Sequence, residues 1–264
     1  MVPKIIHFVW VGDQPKPELV QNCIASWRKF CPDYEIMEWG NERLTEIENQ
    51  YVQEAAAAKK WAFVSDYIRL FALKRFGGFY FDSDLEITGD LETFRKFNFL
   101  TGFERGQGRR ARPITALMGA SKGNRIVCDL LSEYDGLKFI KDGDMDLTPN
   151  TDRITSFFRK NFGLKRRYNG ETKVFLDKNS VVFPYFYFCT PKPGERNYSI
   201  HHFNGSWVEP GKRKYILKVG NWRLLKFSFA LASNSKVQLY DGEKMIVKIA
   251  FKFGKRRALV LVKK

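Results

Sequence analysis

The chain of 264 residues has few cysteines, few histidines and no long apolar run. Its four cysteines, Cys23, Cys31, Cys128 and Cys189, show no paired metal spacing, and three lie in segments that read as helical or apolar. That excludes a cysteine-rich zinc module and predicts free thiols in a reducing compartment. Nowhere do eighteen apolar residues run together, so no membrane-spanning helix is written here. The first residues lack the charged, apolar and small-residue succession of a secretory leader. Acids are scarce: 29 Asp and Glu face 45 Lys and Arg, for a net charge of +16. The shortage is local. Residues 211–264 carry fifteen basic residues against Asp241 and Glu243, which accounts for thirteen of the sixteen net charges. The body ahead of them is near neutral. With 44% hydrophobic and 16% aromatic residues the chain is globular, and one large domain with an appendage is expected.

What is present concentrates in residues 61–87. Trp61, Val64, Ile68 and Phe71 recur at helical spacing, with Phe63, Tyr67 and Leu70 as a second apolar row, which predicts a helix apolar on most sides. Lys74 and Arg75 fit its last turn and Gly77-Gly78 stop it. Phe79-Tyr80-Phe81 reads as a buried strand that releases Asp82-Ser83-Asp84 at its carboxyl end, where open α/β sheets bind ligands. Two carboxylates so close repel each other unless a cation lies between them, and hard divalent cations prefer such oxygens. Asp66 and Arg69 share one face of the helix, so they pair with each other or meet a polar ligand.

Ser65-Asp66-Tyr67-Ile68-Arg69, Gly77-Gly78 and Tyr80-x-Asp82-x-Asp84 resemble the core of the Asp-x-Asp sugar-binding glycosyltransferases of GT-A fold, family 32-like. That group includes yeast-type initiating α-mannosyltransferases and bacterial capsule and lipopolysaccharide transferases, with the clostridial glucosylating toxins more distant. The resemblance extends to Pro3 through Gly12 and to His201-His202-Phe203-Asn204-Gly205-Ser206-Trp207, and stops near residue 210. It implies an α/β, Rossmann-like mixed sheet flanked by helices, a nucleotide-sugar donor and a Mn²⁺ or Mg²⁺ ion. By the same resemblance the ion is held by Asp82, Asp84 and His201, and Asp66 and Arg69 bind ribose or sugar hydroxyls. Val9, Trp10, Tyr80 and Ser83 contact the donor, with Trp10 stacking on its base. Asn204 and Ser206 help hold the metal or diphosphate, and Trp207 covers the leaving group. The family also has polar residues beside the transferred sugar near Asn150 and Asp152; helix capping by Thr151 or Asp152 explains that stretch equally well.

Along the chain, Ile5–Val9, a helix from Pro15 and Pro17 to Phe30, and Tyr34–Trp39 form a βαβ unit with parallel pairing. His7, inside the first strand, reads as a hydrogen-bonded core histidine. A helix is expected over Glu54–Phe76, strands over Phe99–Phe103 and Ile114–Ala120, and a helix over Asn124–Tyr134. Between those strands Arg105 to Arg110 form a glycine-rich basic loop. Val181–Phe188 reads as an edge strand or loop. Tyr198–Phe203 reads as a strand that sends His201 and His202 to opposite faces, so only one can serve a given ion.

Two domains follow: a catalytic body over 1–210 and a basic amphipathic segment over 211–264. The segment mixes Trp222, Leu225 and Phe229 with Arg223 and Lys226, a composition suited first to anionic membrane surfaces or acceptor binding; a nucleic-acid-binding tail and the solvated positive face of a small packed module are the other readings. The expected activity is metal-dependent hexosyl transfer, with a UDP-sugar donor favoured over GDP-mannose, to a glycan or lipid-linked acceptor. Retention and a role in surface polysaccharide synthesis follow from the resemblance. The expected location is the cytoplasmic face of the membrane, peripherally bound. Two rivals are weighed. A haloacid-dehalogenase-type phosphatase would use Asp82 as nucleophile, but Glu86 stands where Thr or Val is expected and some eighty residues precede the motif. A basic nucleic-acid-binding protein leaves the near-neutral body unexplained.

Overall fold

The computed structural model describes residues 1–105, 111–164 and 170–204, together with strands within 215–251. The chain divides into two compact units, Met1–Trp207 and Val208–Lys264.

In the first unit the elements are, in order, β1 (Ile5–Val9), α1 (Glu18–Phe30), β2 (Glu35–Trp39), α2 (Gln50–Ala57), α3 (Trp61–Phe76), β3 (Gly78–Phe81), β4 (Leu85–Ile87), β5 (Phe99–Arg105), β6 (Ala111–Ala120), α4 (Arg125–Ser132), β7 (Ile140–Lys141), β8 (Asp144–Met145), α5 (Asn150–Phe162), β9 (Val174–Asp177), β10 (Ser180–Phe183), α6 (Tyr185–Phe188) and β11 (Ser199–His201). Seven strands form one sheet in the order β2-β1-β3-β6-β5-β10-β9. β1 pairs in parallel with β2 and β3, and β10 with β5, while β6 and β9 run antiparallel to their neighbours. A mixed sheet flanked by helices is the GT-A arrangement that the resemblance implies.

Alternation along β3 divides the core. Tyr80 belongs to an apolar cluster with α2, α3 and α5, whereas Phe79 and Phe81 join a second one with α1. A residue's neighbours in a strand point to opposite faces, so the strand before the acidic motif is gripped from both sides. Burying each such phenyl ring contributes about 1.5–3 kcal/mol. The turn from α3 into β3 needs its glycines. Gly77 and Gly78 have φ of 69° and 101°, and a Cβ on either would lie 2.6 Å from backbone atoms of Lys122 or Ile5. His7 is the expected core histidine: its Nε2–H donates to the Gly77 carbonyl (2.8 Å) and its Nδ1 accepts from the Trp39 indole (3.3 Å). Burial pushes its pKa down to about 4. All four cysteines are free.

Several local expectations are corrected. The helix over 54–76 is two helices, broken where Lys59 takes a φ of 54°, so the alanine run ends α2 instead of leading into α3. β10 is not an edge: it lies between β5 and β9, and Pro184 caps the short helix α6. Pro149 holds the N-cap position of α5 without a side-chain cap hydrogen bond, and Thr151 and Asp152 lie in its first turn, near the cap as expected. Strand β4 has no sequence signal of its own and exists through its pairing with β11.

The second unit holds β12 (Tyr215–Val219), β13 (Trp222–Leu225), β14 (Ser235–Asp241) and β15 (Lys244–Phe251). They form an antiparallel sheet in sequential order.

Candidate metal and donor site

The acidic motif leaves the sheet in a tight turn. The Asp82 amide donates to the Ala116 carbonyl (2.8 Å), and the Leu85 amide to the Asp82 carbonyl (3.0 Å). Helix α1 pins the far side: the Trp27 indole donates to the Leu85 carbonyl (2.7 Å), and Ser26 Oγ accepts from the Ile87 amide (2.9 Å). Antiparallel pairing of β4 with β11 sets His201 opposite Leu85. As a result Asp82, Asp84 and His201 each offer a ligand atom, all within 4.8 Å of one another. His201 Nε2 lies 3.3 Å from Asp84 Oδ1. The other Asp84 oxygen accepts from the Asn204 amide (2.8 Å), and its carbonyl accepts from the His202 amide (3.1 Å).

The electrostatics suit a cation. Burial opposes charge on both groups, yet the contacts with His201 and the Asn204 amide hold the Asp84 carboxyl below its usual range. For His201, burial is outweighed by Asp84, Cys189 and the Asp82 charge, which push it up to about 10. Asp84 and His201 thus stabilise each other's charge, and a divalent cation would take the place of the imidazolium proton. Two carboxylate oxygens and one imidazole nitrogen make a donor set that fits Mn²⁺ and, less specifically, Mg²⁺. His202 turns the other way and meets Glu86 Oε2 at 2.9 Å.

On the α3 side, Asp66 and Arg69 take the first of the two arrangements weighed from sequence, pairing with each other. They pair (2.8 Å), and Arg69 also reaches Asp82 Oδ1 (3.3 Å) and donates to the Thr115 carbonyl (2.8 Å). The guanidinium lies 4.6 Å from the centre of the Tyr80 ring, whose hydroxyl donates to Asp82 Oδ1 (3.0 Å). Burial raises the Asp66 pKa to about 6 against the pull of Arg69, with Asp82 repelling and Asn150 hydrogen-bonding to it. Asn150 therefore joins this cluster. Asp152, one turn face away, forms an exposed ion pair with Arg112 (2.6 Å) and is not brought to it.

At the tip of β1, Val9 is buried and Trp10 half-buried, its indole donating to the Gln14 carbonyl (2.9 Å). Sequence reasoning missed two neighbours there. Asn41 clamps Gly12 through both its amide (2.8 Å) and its carbonyl (3.2 Å), and the Trp61 indole packs so close that a Cβ on Gly12 would lie 2.9 Å from it. It also missed Glu104 on β5, whose carboxyl pKa is raised by burial and which feels the charges of His201, Arg112 and Asp82. Neither Asn41 nor Glu104 sits in a motif, so only the sheet register could reveal them. Ser83 is half-buried between the two aspartates. Ser206, Trp207 and the basic loop at 106–110 lie outside the described residues.

Residues 17–100 match a family described as the glycosyltransferase sugar-binding region containing the DXD motif, a span that includes α1, α3 and Asp82–Asp84. No curated protein matches. Similar solved structures include the PaToxG glycosyltransferase (20% identity, 60% of this chain and 69% of that one, TM-score 0.45). Another is a glycosyltransferase involved in glycosylation of the major capsid of PBCV-1 (10% identity, 75% and 93%, TM-score 0.42). The UDP-bound glycosyltransferase domain of the YGT toxin follows (12% identity, 65% and 70%, TM-score 0.33). Over residues 17–100, then, this chain is similar to the DXD-containing sugar-binding region of glycosyltransferases.

Proposed function

We propose that this enzyme moves a hexose from a nucleotide-sugar donor, a UDP-sugar before GDP-mannose, to a glycan or lipid-linked oligosaccharide. The observation that carries the reading is the convergence of Asp82, Asp84 and His201 from segments more than a hundred residues apart. Asp82, Asp84 and His201 would hold Mn²⁺ or Mg²⁺, and such an ion neutralises the charge that develops on a departing nucleoside diphosphate. Trp10 and Val9 at the β1 tip would receive the nucleoside. Arg69 is held by Thr115 and Asp82, and Asp66 by Arg69 and Asn150, so neither needs to reorganise on meeting sugar hydroxyls. Tyr80 orients Asp82, Ser83 lies between the two ligands, and Asn204 steadies Asp84 through its amide. Ser206 and Trp207 belong to this reading by motif alone, and Asp152 would serve at the rim beside Arg112. Family likeness favours retention and a place in surface polysaccharide synthesis.

The test is donor hydrolysis and product mass with UDP-glucose, UDP-galactose, UDP-N-acetylglucosamine and GDP-mannose, with Mn²⁺ and with chelator. Full turnover in chelator, or turnover of none of the four, refutes it.

The same reading assigns 1–210 to catalysis and 211–264 to an anionic membrane surface on the cytoplasmic side. It is supported by the basic and apolar composition of the segment, each basic residue near such a surface contributing about 1 kcal/mol. Among the described residues no helix is long and apolar enough to cross a membrane. Sedimentation with phosphatidylserine vesicles should show binding at low salt that fades at high salt. Binding to RNA and not to vesicles would reassign the segment.

A further inference from the structure

Three non-glycine residues among those described have a positive φ: Lys59, Asp142 and Phe203. Lys59 and Asp142 are exposed loop residues, and aspartate tolerates that region. Phe203 is different. It is bulky, its φ is 51°, and the residue is 47% exposed, so burial in the core does not account for the conformation. Strain of this kind persists where the surroundings over-determine it, and such places cluster at functional sites.

Two contacts depend on this residue, and both end on the candidate metal ligands. The ring packs against the His201 imidazole at a tilt of 43°, with centroids 4.1 Å apart. The left-handed turn brings the next amide, that of Asn204, back onto Asp84 Oδ2 at 2.8 Å, while the His202 amide holds the Asp84 carbonyl at 3.1 Å. With Oδ2 occupied, Oδ1 is the oxygen left to face His201 Nε2, 3.3 Å away. An extended residue at 203 would carry the Asn204 amide past Asp84, and a small one would lose the ring contact with the imidazole. Ligands drawn from separate segments need partners of this sort to fix their rotamers.

We propose that Phe203 is a positioning residue of the metal centre: its backbone turn aims Asp84 through the Asn204 amide, and its ring fixes His201. This rests on the metal reading above.

The experiment titrates Mn²⁺ into the full-length protein with UDP present and follows free Mn²⁺ by electron paramagnetic resonance. Phe203→Ala, which loses the ring, and Phe203→Gly, which also frees the turn, should each bind Mn²⁺ about tenfold more weakly. Phe203→Tyr should restore binding. Phe203→Gly should melt no lower than the unaltered protein, because glycine adopts the left-handed region freely. That separates positioning from a structural role. Unchanged Mn²⁺ affinity in both variants overturns the proposal, and if acceptor KM then rises, the ring is an acceptor platform instead. If the unaltered protein takes up no Mn²⁺, the metal reading itself fails. Phe203 is then judged on the metal-free protein by the His201 ring-proton resonances, which must shift and broaden in Phe203→Ala; resonances that stay put overturn the assignment.

Discussion

Asp66, Arg69 and Asp82 stand on α3 and at the end of β3, elements most of whose other residues are buried in the core. Asp84, His201 and Asn204 stand on two three-residue strands and the turns beside them. In the first group the side chains of Arg69 and Asp66 are 4% and 12% exposed, and the guanidinium bonds to backbone, carboxylates and an aromatic face together. In the second, contacts are fewer and come from segments more than a hundred residues apart. The difference teaches how the site divides its work. The half on α3 and β3 is part of the fold's own framework and should not be separable from stability. The half on β4 and β11 is added to that framework and should be less tightly coupled to it.

Asp84→Ala is the strongest probe of that division. It removes one of the three candidate ligands, so transfer should fall by about a thousandfold or more, while the unfolding midpoint in urea should fall less than in Arg69→Ala, because His201 can give up its proton once Asp84 is gone. A folded Asp84→Ala enzyme with ordinary turnover would remove the metal role. Arg69→Ala should break the division from the other side. It leaves Asp66 buried without its partner, which costs about 3–5 kcal/mol, so activity and urea midpoint should fall together. Lost activity at full stability would show that Arg69 is not part of the framework.

Within the added half, His201→Ala and His202→Ala sharpen the comparison. His201 points to Asp84 and His202 to Glu86, so the first should weaken Mn²⁺ binding about 10–100-fold and the second by much less. The reverse ranking moves the ligand assignment to His202. The smallest effect on activity belongs to His7, wholly inside the framework. Its folded pKa, about 4, is depressed below the ordinary value of 6.5, so its contribution is full above pH 6.5 and is lost as pH falls towards 4. The slope it adds in that window is about 1.4 kcal/mol per pH unit. Asp66, raised to about 6, acts with opposite sign there, so the readout is a difference. Denaturation of the parent and His7→Gln between pH 4 and 7 should show the parent losing stability more steeply on acidification. Parallel curves would refute the assignment.

Legibility follows the same division. Helix α3, its glycine stop, strand β3 and Asp82–Asp84 can be read from residues 61–87 because each signal is local: apolar spacing, left-handed glycines, an alternating strand and repelling carboxylates. The pairing of Asp66 with Arg69 is legible for the same reason, being one turn of helix. The break between α2 and α3 was hidden by alanines that favour helix on both sides of it. Nothing nearby in sequence marks β4, because its hydrogen bonds go to β11 and to Ser26. Asn150 and Asp152 look alike as neighbouring polar residues at a helix start, and only packing against α3 and β6 sends one to Asp66 and the other to Arg112. By itself, then, the sequence determined the framework, the acidic motif and the class of chemistry, since those rest on contacts within a few turns or one βαβ unit. Tertiary structure alone decided the placing of His201 beside Asp82 and Asp84, the clamp of Asn41 on Gly12 and the left-handed Phe203, because each is set by partners far along the chain whose register no local pattern encodes.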